Sequence, residues 1–262
     1  LATAIGIMLS SSSAFAAEHT VKDWQSYKEA IISDILRQDK EIIIHYDGPD
    51  KYTSKAELTS IVSGLYEEAL ADISGTLEEN NIRNAELNTK GIIENGVDYV
   101  LTTGTYNLTY KNSYQDLQEA QRIIDNFLEA NIEESMSDYD KVRKIYEFII
   151  DEYSYGYANT GNKTQDELNE RNILLGLQGN PVVCEGYTML FSKMASSLGY
   201  ENKIIRGSVA GEGHSWNLIK IEDKWYHVDA TWGDSDSEEN KEKYFLTSDD
   251  VIEDKNNPTL RR

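Results

Sequence analysis

The chain has 262 residues, of which 46 are acidic and 25 are basic, so its formal net charge is −21. A surface this negative repels other polyanions, and we therefore expect neither nucleic acid nor an anionic membrane as a partner. The length can supply a packed core for one large domain or two smaller ones, and the single cysteine excludes an internal disulfide.

The N-terminal residues resemble the end of a secretory signal peptide. An apolar run from Leu1 to Leu9 precedes a serine patch and then Ala14 to Ala16, which has the form of a cleavage site. The run is shorter than the about 20 residues that a membrane span needs. We expect residues 1–16 to be a signal peptide, truncated at its start. The mature protein would then be without a membrane span and secreted or held at the cell surface, and its lone thiol favours a monomer.

The first half of the mature chain alternates strands and helices. Residues 41–46 (EIIIHY) predict a strand, and a capping box from Ser54 to Glu57 opens a helix with an apolar face that continues to about Leu77. The alternating pattern over 98–112 predicts a half-exposed strand. We therefore expect an N-terminal α/β region over residues 17–112, for which the sequence indicates no role.

The second half has helices followed by strands. One amphipathic helix runs through Leu117 and Leu128, and another begins near Ser137, before a polar segment over 156–172 that predicts mostly loop. Residues 184–199 predict a helix that ends at a glycine. Four strands follow, with the sequences NKIIRGSV, HSWNLIKI, KWYHVDATW and KYFLT. This order predicts an α+β domain over 113–262, with the cysteine-bearing helix packed on an antiparallel sheet.

The only cysteine, Cys184, stands where this helix begins. The unpaired N–H groups and positive end of a helix lower a thiol's pKa from its usual ~8.5. A single cysteine in a secreted chain indicates a reactive thiol or intermolecular pairing, whereas a buried and inert thiol is the structural alternative. A nearby base would favour the reactive thiol.

Two histidines on adjacent predicted strands, His214 and His227, are candidates for that base. If Glu222 and Asp223 form a two-residue turn, strand alternation makes His214 and Asp229 diagonal neighbours on one face of the sheet. His227 falls on the same face but has no carboxylate in diagonal register. The spacing therefore favours His214.

These three residue types together indicate nucleophilic catalysis. Cys184 would attack a carbonyl group as a thiolate, His214 would take and return the proton, and Asp229 would hold the imidazole in the correct tautomer. Backbone N–H groups at the start of the helix would stabilise the oxyanion. The alternative for each residue alone is a structural role.

Several further side chains are candidates for a second oxyanion donor or a wall of the site. The donor candidates are Gln178, Asn180 and Tyr155, and the wall candidate is Trp216. We expect Trp216, Trp225 and Trp232 to be exposed, where they could exclude water from the site or simply pack. The acidic segment 234–245 lacks the glycine and glutamate that an EF-hand loop requires, and no His/Cys group has zinc-ligand spacing. We expect neither a metal nor a cofactor.

The stretches VVCEGYTMLFSKMASSLGY and GHSWNLIKIEDKWYHVDATWGD resemble the core of the transglutaminase-like superfamily, and residues 17–112 resemble the extra N-terminal segment of some exported bacterial members. Three motifs of that family occur in order: C-x-G-Y, GHxWN and WYxVDxTW. The likeness is close over 171–234 and weaker back to about 113. It implies a papain-like fold and a catalytic site formed by Cys184, His214 and Asp229.

The family resemblance implies a reaction class and leaves the acceptor open. Members of the superfamily are transglutaminases, peptidases, amidases or inactive binding domains, and the active ones share a thioester intermediate that an amine or water resolves. We expect an exported acyl-transfer enzyme acting on a protein or peptide amide, such as a glutamine side chain or a cell-wall peptide. The alternative is an inactive cell-surface or cell-wall binding module with the same fold.

Overall fold

The structure is a computed structural model that describes residues 17–96, 98–209 and 212–249. The chain divides into two compact units, one within Leu1–Asp72 and Asn84–Thr109 and the other within Ile73–Arg83 and Tyr110–Arg262. Residues 73–83, which the sequence placed in the N-terminal region, therefore group with the second unit. The proposed signal peptide lies outside the described residues.

The first unit contains a four-stranded sheet with two helices. The strands are β1 (Ala17–Val21), β2 (Glu41–Tyr46), β3 (Ile82–Glu94) and β4 (Asp98–Tyr110), and their order in the sheet is β1-β2-β4-β3. The helices are α1 (Trp24–Arg37) and α2 (Lys55–Asp72). Strands β1 and β2 are parallel, whereas β2 and β4 are antiparallel. This confirms the predicted strands at 41–46 and 98–112, although α2 ends before the predicted Leu77.

The second unit is mainly helical before its sheet. Its helices are α3 (Leu77–Asn81), α4 (Tyr114–Asn131), α5 (Asp138–Glu152), α6 (Lys163–Asn169), α7 (Ile173–Leu177), α8 (Cys184–Ser197), α9 (Ala230–Gly233) and α10 (Glu238–Lys243). Ser113 and Asp116 form a capping box at the start of α4, and the Ser137 side chain caps α5. Gly199 follows α8 with φ of +82°, as a C′ glycine requires. The predicted loop at 156–172 therefore contains α6.

The sheet of the second unit is antiparallel, with strands β5 (Asn202–Val209), β6 (Glu212–Ile221) and β7 (Lys224–Val228) in that order. Glu222 and Asp223 connect β6 to β7 with φ of 49° and 65°, the left-handed conformation of a type I′ hairpin turn. This turn pairs Leu218 with His227, which confirms the predicted register. Helix α8 packs on β5 and β6, and the predicted α+β class is confirmed.

Two of the four strands predicted for the second half differ from what the structure shows. Strand β7 stops at Val228, because the Asp229 side chain accepts a hydrogen bond from the Trp232 N–H (3.1 Å) and so begins helix α9. The segment KYFLT does not form a strand; within it, Thr247 makes an isolated bridge with His227. The predicted strand KWYHVDATW is therefore confirmed only over Lys224–Val228, because the Asp229 cap ends it, and the prediction of a strand at KYFLT was wrong because isolated backbone contacts replace a ladder there.

One apolar cluster joins α4, α5, α8 and the sheet of the second unit. Its fully buried members include Ile124, Val142, Ile145, Ile149, Leu190, Phe191, Met194 and Ile219. Burying side chains of this size stabilises a fold by about 1.5–3 kcal/mol each. Within the part of the chain that the structure describes, no helix has the length and apolar character that a membrane span requires.

Candidate active site

Cys184 is the first residue of α8, and the start of this helix has no side-chain cap. Val183 occupies the N-cap position with an extended backbone, and its side chain cannot accept a hydrogen bond. The first N–H groups of a helix have no carbonyl partner within the helix, so those of Cys184 and Glu185 are available to an anion. The thiol therefore lies at the positive end of a helix.

The glycine of the C-E-G-Y motif allows close packing at this point. A Cβ on Gly186 would lie 2.8 Å from the Val182 Cβ and 3.3 Å from the Glu170 carbonyl oxygen. Only a residue without a side chain lets the first turn of α8 approach the preceding segment so closely. Gly186 therefore determines the position of the cysteine.

His214 on β6 and Asp229 at the end of β7 are joined by a hydrogen bond of 2.6 Å between His214 Nε2 and Asp229 Oδ2. Their side chains are only 8% and 1% exposed. Asp229 Oδ1 accepts the Trp232 N–H, so both carboxylate oxygens are engaged. Because Asp229 occupies Nε2, Nδ1 is the imidazole nitrogen available to the thiol.

The thiol and the imidazole shift each other's pKa in opposite directions. Burial alone raises the pKa of Cys184, but the neighbouring His214 imidazole with its charge and the adjacent Ser215 outweigh it and lower that pKa. Burial lowers the pKa of His214, but the hydrogen bonds with Asp229 and Cys184 outweigh it and raise the pKa to about 9. Both shifts favour the thiolate–imidazolium pair over the neutral thiol and imidazole.

Two indole rings lie nearly parallel to the His214 imidazole. The ring centroid of Trp232 is 4.5 Å away at an interplanar angle of 10°, and that of Trp216 is 5.9 Å away at 20°. Trp216 is 2% exposed, so it is a buried wall and not the exposed ring that the sequence suggested. Trp225 is 38% exposed on β7 and contacts Lys203.

The candidate oxyanion donors differ in position. Tyr155 is half exposed and forms a backbone bridge with Val182, two residues before the cysteine. The pKa of the Tyr155 hydroxyl is raised mainly by burial, then by Tyr157, and to a smaller extent by the charge of Cys184. Asn180 is exposed, and its side-chain amide donates to the Leu175 carbonyl oxygen (3.1 Å). Gln178 ends α7 in an exposed position. Tyr155 is the one that interacts with the thiol.

His227, the competing base, is engaged elsewhere. It is 1% exposed, and its Nδ1 accepts the indole N–H of Trp216 at 2.8 Å. Its Nε2 lies 2.8 Å from Asp249 Oδ1. Both ring nitrogens therefore have partners other than Cys184.

Sequence reasoning missed three residues near the thiol. Ser215 is buried beside Cys184 and lowers the pKa of its thiol. The buried Asn217 donates from Nδ2 to the Thr188 carbonyl oxygen (3.0 Å), which ties β6 to α8. Both lie in the GHSWN motif, where strand alternation would have assigned them to the face opposite His214 and Trp216.

The third, Glu185, follows the nucleophile directly and is surrounded by cations. Its carboxylate lies 2.9 Å from Lys111 Nζ and 3.6 Å from Arg206, and it accepts a hydrogen bond from Arg171. Burial raises the pKa of Glu185, but Lys111 and Arg171 outweigh it and lower that pKa. This ion cluster fixes the start of α8 to the neighbouring segments. Glu185 gave no signal in the sequence because its partners are distant along the chain.

Among the described residues, no group of three or more His, Cys, Asp and Glu side chains is arranged to hold a metal ion. A thiol at a helix start, a histidine on the adjacent sheet and an aspartate bonded to that histidine define a papain-like cysteine site.

Comparison with known proteins agrees with this class. Residues 125–230 match the family model of the transglutaminase-like superfamily. This match confirms the resemblance to the transglutaminase-like superfamily that the motifs indicated.

Two named relatives are similar to part of this chain. The kyphoscoliosis peptidase of Homo sapiens is 27% identical over 132 residues, covering 46% of this chain and 20% of the relative. The kyphoscoliosis peptidase of Mus musculus is 29% identical over 136 residues, covering 44% and 20%. The chain thus spans about a fifth of the length of these curated relatives. A solved structure of a TGase has 12% identity and a TM-score of 0.40, covering 84% of this chain and 60% of that one.

Proposed function

We propose that the second unit is a thiol-dependent acyl-transfer enzyme that acts on protein or peptide amides. The observation that carries this proposal is the hydrogen-bonded pair of His214 and Asp229 beside the lone thiol at the uncapped start of α8. An inert core cysteine would have neither a charged imidazole beside it nor a lowered pKa.

In the acylation step the Cys184 thiolate adds to the carbonyl carbon of the amide, and the carbonyl π electrons move to oxygen. The N–H groups of Cys184 and Glu185 would stabilise this oxyanion, and the Tyr155 hydroxyl is a candidate additional donor. His214 Nδ1–H then gives its proton to the leaving nitrogen. The C–N bond breaks, an amine departs, and a thioester remains on Cys184.

In the second step His214 Nδ1 takes a proton from the acceptor as that acceptor attacks the thioester carbonyl. The C–S bond breaks and the thiolate is restored, so atoms and charge balance over the cycle. An amine acceptor makes the enzyme a transglutaminase, and water makes it a peptidase or amidase. The buried indole of Trp216 and the stacked Trp232 would limit water at the imidazole.

We also propose that the protein acts outside the cell, because the apolar run and the Ala14 to Ala16 triplet have the form of a leader and its cleavage site. A cell-wall peptide is then a substrate to examine beside glutamine-containing peptides. Mass spectrometry of the protein recovered from the medium tests this proposal. A mature N-terminus near Ala17 is expected, and an uncleaved chain retained in the cells would contradict it.

The first test measures the alkylation rate of Cys184 by iodoacetamide across pH in the native protein and in His214→Ala. The expected apparent pKa of the wild-type thiol lies below ~8.5 and rises in the variant. His45→Ala, which changes a histidine in the first unit, is the matched control. A thiol that titrates alike in wild type and His214→Ala would contradict catalysis and favour the inactive binding module.

If the thiol is activated, glutamine-containing and cell-wall peptides are then compared with and without an added amine. Mass spectrometry would detect the thioester on Cys184 and distinguish transfer to the amine from hydrolysis.

A further inference from the structure

We propose that His227 is a positioning residue, which holds the Trp216 indole beside His214 through a hydrogen bond to its Nδ1. This inference rests on the proposed function, because it concerns the histidine that would act as the base. His227 itself would touch neither the substrate nor the thiol.

The hydrogen bonds around His227 determine which of its nitrogens carries the proton. The indole N–H of Trp216 is a donor only, and it points at His227 Nδ1 at a distance of 2.8 Å. His227 Nδ1 must therefore be unprotonated. The proton of the neutral ring is then on Nε2, which donates to Asp249 Oδ1 at 2.8 Å.

The backbone holds this arrangement in register. Leu218 pairs with His227 across β6 and β7, so Trp216 is the diagonal neighbour of His227. On its other side, His227 exchanges two backbone hydrogen bonds of 2.9 Å with Thr247. That bridge brings Asp249, two residues later, to the imidazole. A chain of side chains therefore runs from Asp249 through His227 and Trp216 to the His214 ring.

The burial of these groups makes the hydrogen bond necessary. Trp216 and His227 are 2% and 1% exposed, so water cannot replace a missing partner for the indole N–H. An apolar side chain at position 227 would fill the space but leave that N–H unsatisfied. The indole would then lose the contact that fixes its plane beside His214, whose centroid is 5.9 Å away.

Three substitutions of His227 differ in whether they keep a hydrogen-bond acceptor for the Trp216 indole N–H and in where that acceptor lies. His227→Asn keeps an acceptor oxygen near the position of Nδ1, whereas His227→Gln moves its oxygen toward the position of Nε2. His227→Leu has no acceptor. His45→Asn, in the first unit, is the matched control for loss of a histidine.

The expected result is a reduced rate of Cys184 alkylation at neutral pH in His227→Leu, by between about tenfold and about a hundredfold, as a small displacement of a reacting group can produce. The pH profile of alkylation should shift in the same variant. His227→Asn should recover most of the rate, and His45→Asn should match the wild type. If His227→Leu does not fold, a fast His227→Asn with a slow His227→Gln supports the same conclusion.

Nuclear magnetic resonance gives a readout independent of reactivity. The ¹⁵N shifts of His227 should identify an Nε2–H tautomer, and the His214 ring signals should move in His227→Leu but little in His227→Asn. An Nδ1–H tautomer, equal rates for His227→Asn and His227→Gln, or unchanged His214 signals in His227→Leu would each overturn the proposal. Failure of the proposed function is recognised separately, because His214→Ala would then leave alkylation unchanged.

Discussion

The Trp232 indole stacks on the His214 imidazole, with ring centroids 4.5 Å apart and an interplanar angle of 10°. The same carboxylate holds both residues, since Asp229 accepts His214 Nε2–H at 2.6 Å and the Trp232 backbone N–H at 3.1 Å. Helix α9 has only four residues, yet its cap and its indole orient the candidate base from two directions. Substituting each residue in turn can therefore measure separately how the Trp232 ring and the Asp229 carboxylate orient His214.

Replacing Trp232 by alanine should lower the alkylation rate of Cys184 about tenfold, because an aromatic pair contributes about 0.5–1.5 kcal/mol and 1.36 kcal/mol corresponds to a factor of ten in rate. Trp232→Phe keeps a stacked ring and should stay near the wild type. Trp225→Ala on β7 is the control, since that indole contacts Lys203 and not the imidazole. Equal rates in Trp232→Ala and wild type would show that the stack does not orient His214.

Replacing Asp229 by asparagine should lower acyl transfer by about 10²- to 10⁴-fold with little loss of folding. The amide oxygen can still accept the Trp232 N–H, but the NH₂ group then faces His214 Nε2. That contact moves the imidazole proton to Nδ1, which can no longer accept a proton from the thiol. The measurement is kcat/KM with a peptide substrate.

A matched control for this variant is Asp223→Asn, because Asp223 lies in the exposed hairpin turn with φ of 65°, a conformation that asparagine tolerates. An Asp229→Asn protein that retains full activity would exclude Asp229 from orienting the base.

Replacing Gly186 by alanine should destabilise the second unit and reduce the reactivity of Cys184. The new Cβ would lie 2.8 Å from the Val182 Cβ, so the first turn of α8 must shift. Overpacking of this kind costs about 1–3 kcal/mol. Urea unfolding and the alkylation rate measure the two effects.

The control is Gly64→Ala in α2, where a Cβ meets nothing within 4 Å. Alanine there should be neutral or stabilise by up to about 1 kcal/mol, as helix propensity predicts. If Gly186→Ala behaves like Gly64→Ala, the close approach does not position the cysteine.

The sequence predicted the relation between His214 and Asp229 because that relation depends on local geometry. The two-residue turn at Glu222 and Asp223 determines the register, and the register determines which side chains share a face. The helix of Cys184 was predicted for the same reason, since its apolar period and terminal glycine are local signals. These elements are strongly specified within short stretches of the chain.

Relations that depend on distant residues were not predicted. The ion cluster at Glu185 joins residues more than 70 positions apart along the chain, as Lys111 shows. Strand β1 forms by parallel pairing with β2 across the whole of α1. The burial of Trp216 follows from its contact with His227 and from packing around the sheet. Periodicity carries no information about such contacts.

Replacing Lys111 by methionine should destabilise the second unit by about 1–3 kcal/mol, because a partly buried carboxylate loses a charged partner. Lys111 and Glu185 are 13% and 21% exposed. Lys51→Met in the first unit is the control, since Lys51 and Glu94 are 45% and 43% exposed and such pairs contribute about 0–1 kcal/mol. Urea unfolding at neutral pH measures both variants. Similar losses in the two would show that burial adds nothing to the Glu185 cluster.

The pH dependence of stability follows from the same carboxylate. The folded-state pKa of Glu185 is lowered, so its contribution is present above the unfolded value of about 4.3 and is lost as the pH falls through the folded value. Unfolding experiments between neutral and acidic pH should therefore show a steeper loss of stability in wild type than in Glu185→Gln. Parallel curves would contradict the role of Glu185.

Acyl transfer should depend on pH in a bell-shaped manner, with limbs set by Cys184 and His214. Activity rises as the pH passes the lowered pKa of the thiol, because the thiolate forms. It falls as the pH passes about 9, because His214 then loses the proton that the leaving amine requires. Alkylation needs no proton donor, so its rate should stay high where acyl transfer declines.

The measurement compares the rates of acyl transfer and of alkylation on one protein from pH 5 to pH 10, a range chosen to include the titration of both groups. If both rates fall together above pH 9, the alkaline limb reports damage to the fold and not deprotonation of His214.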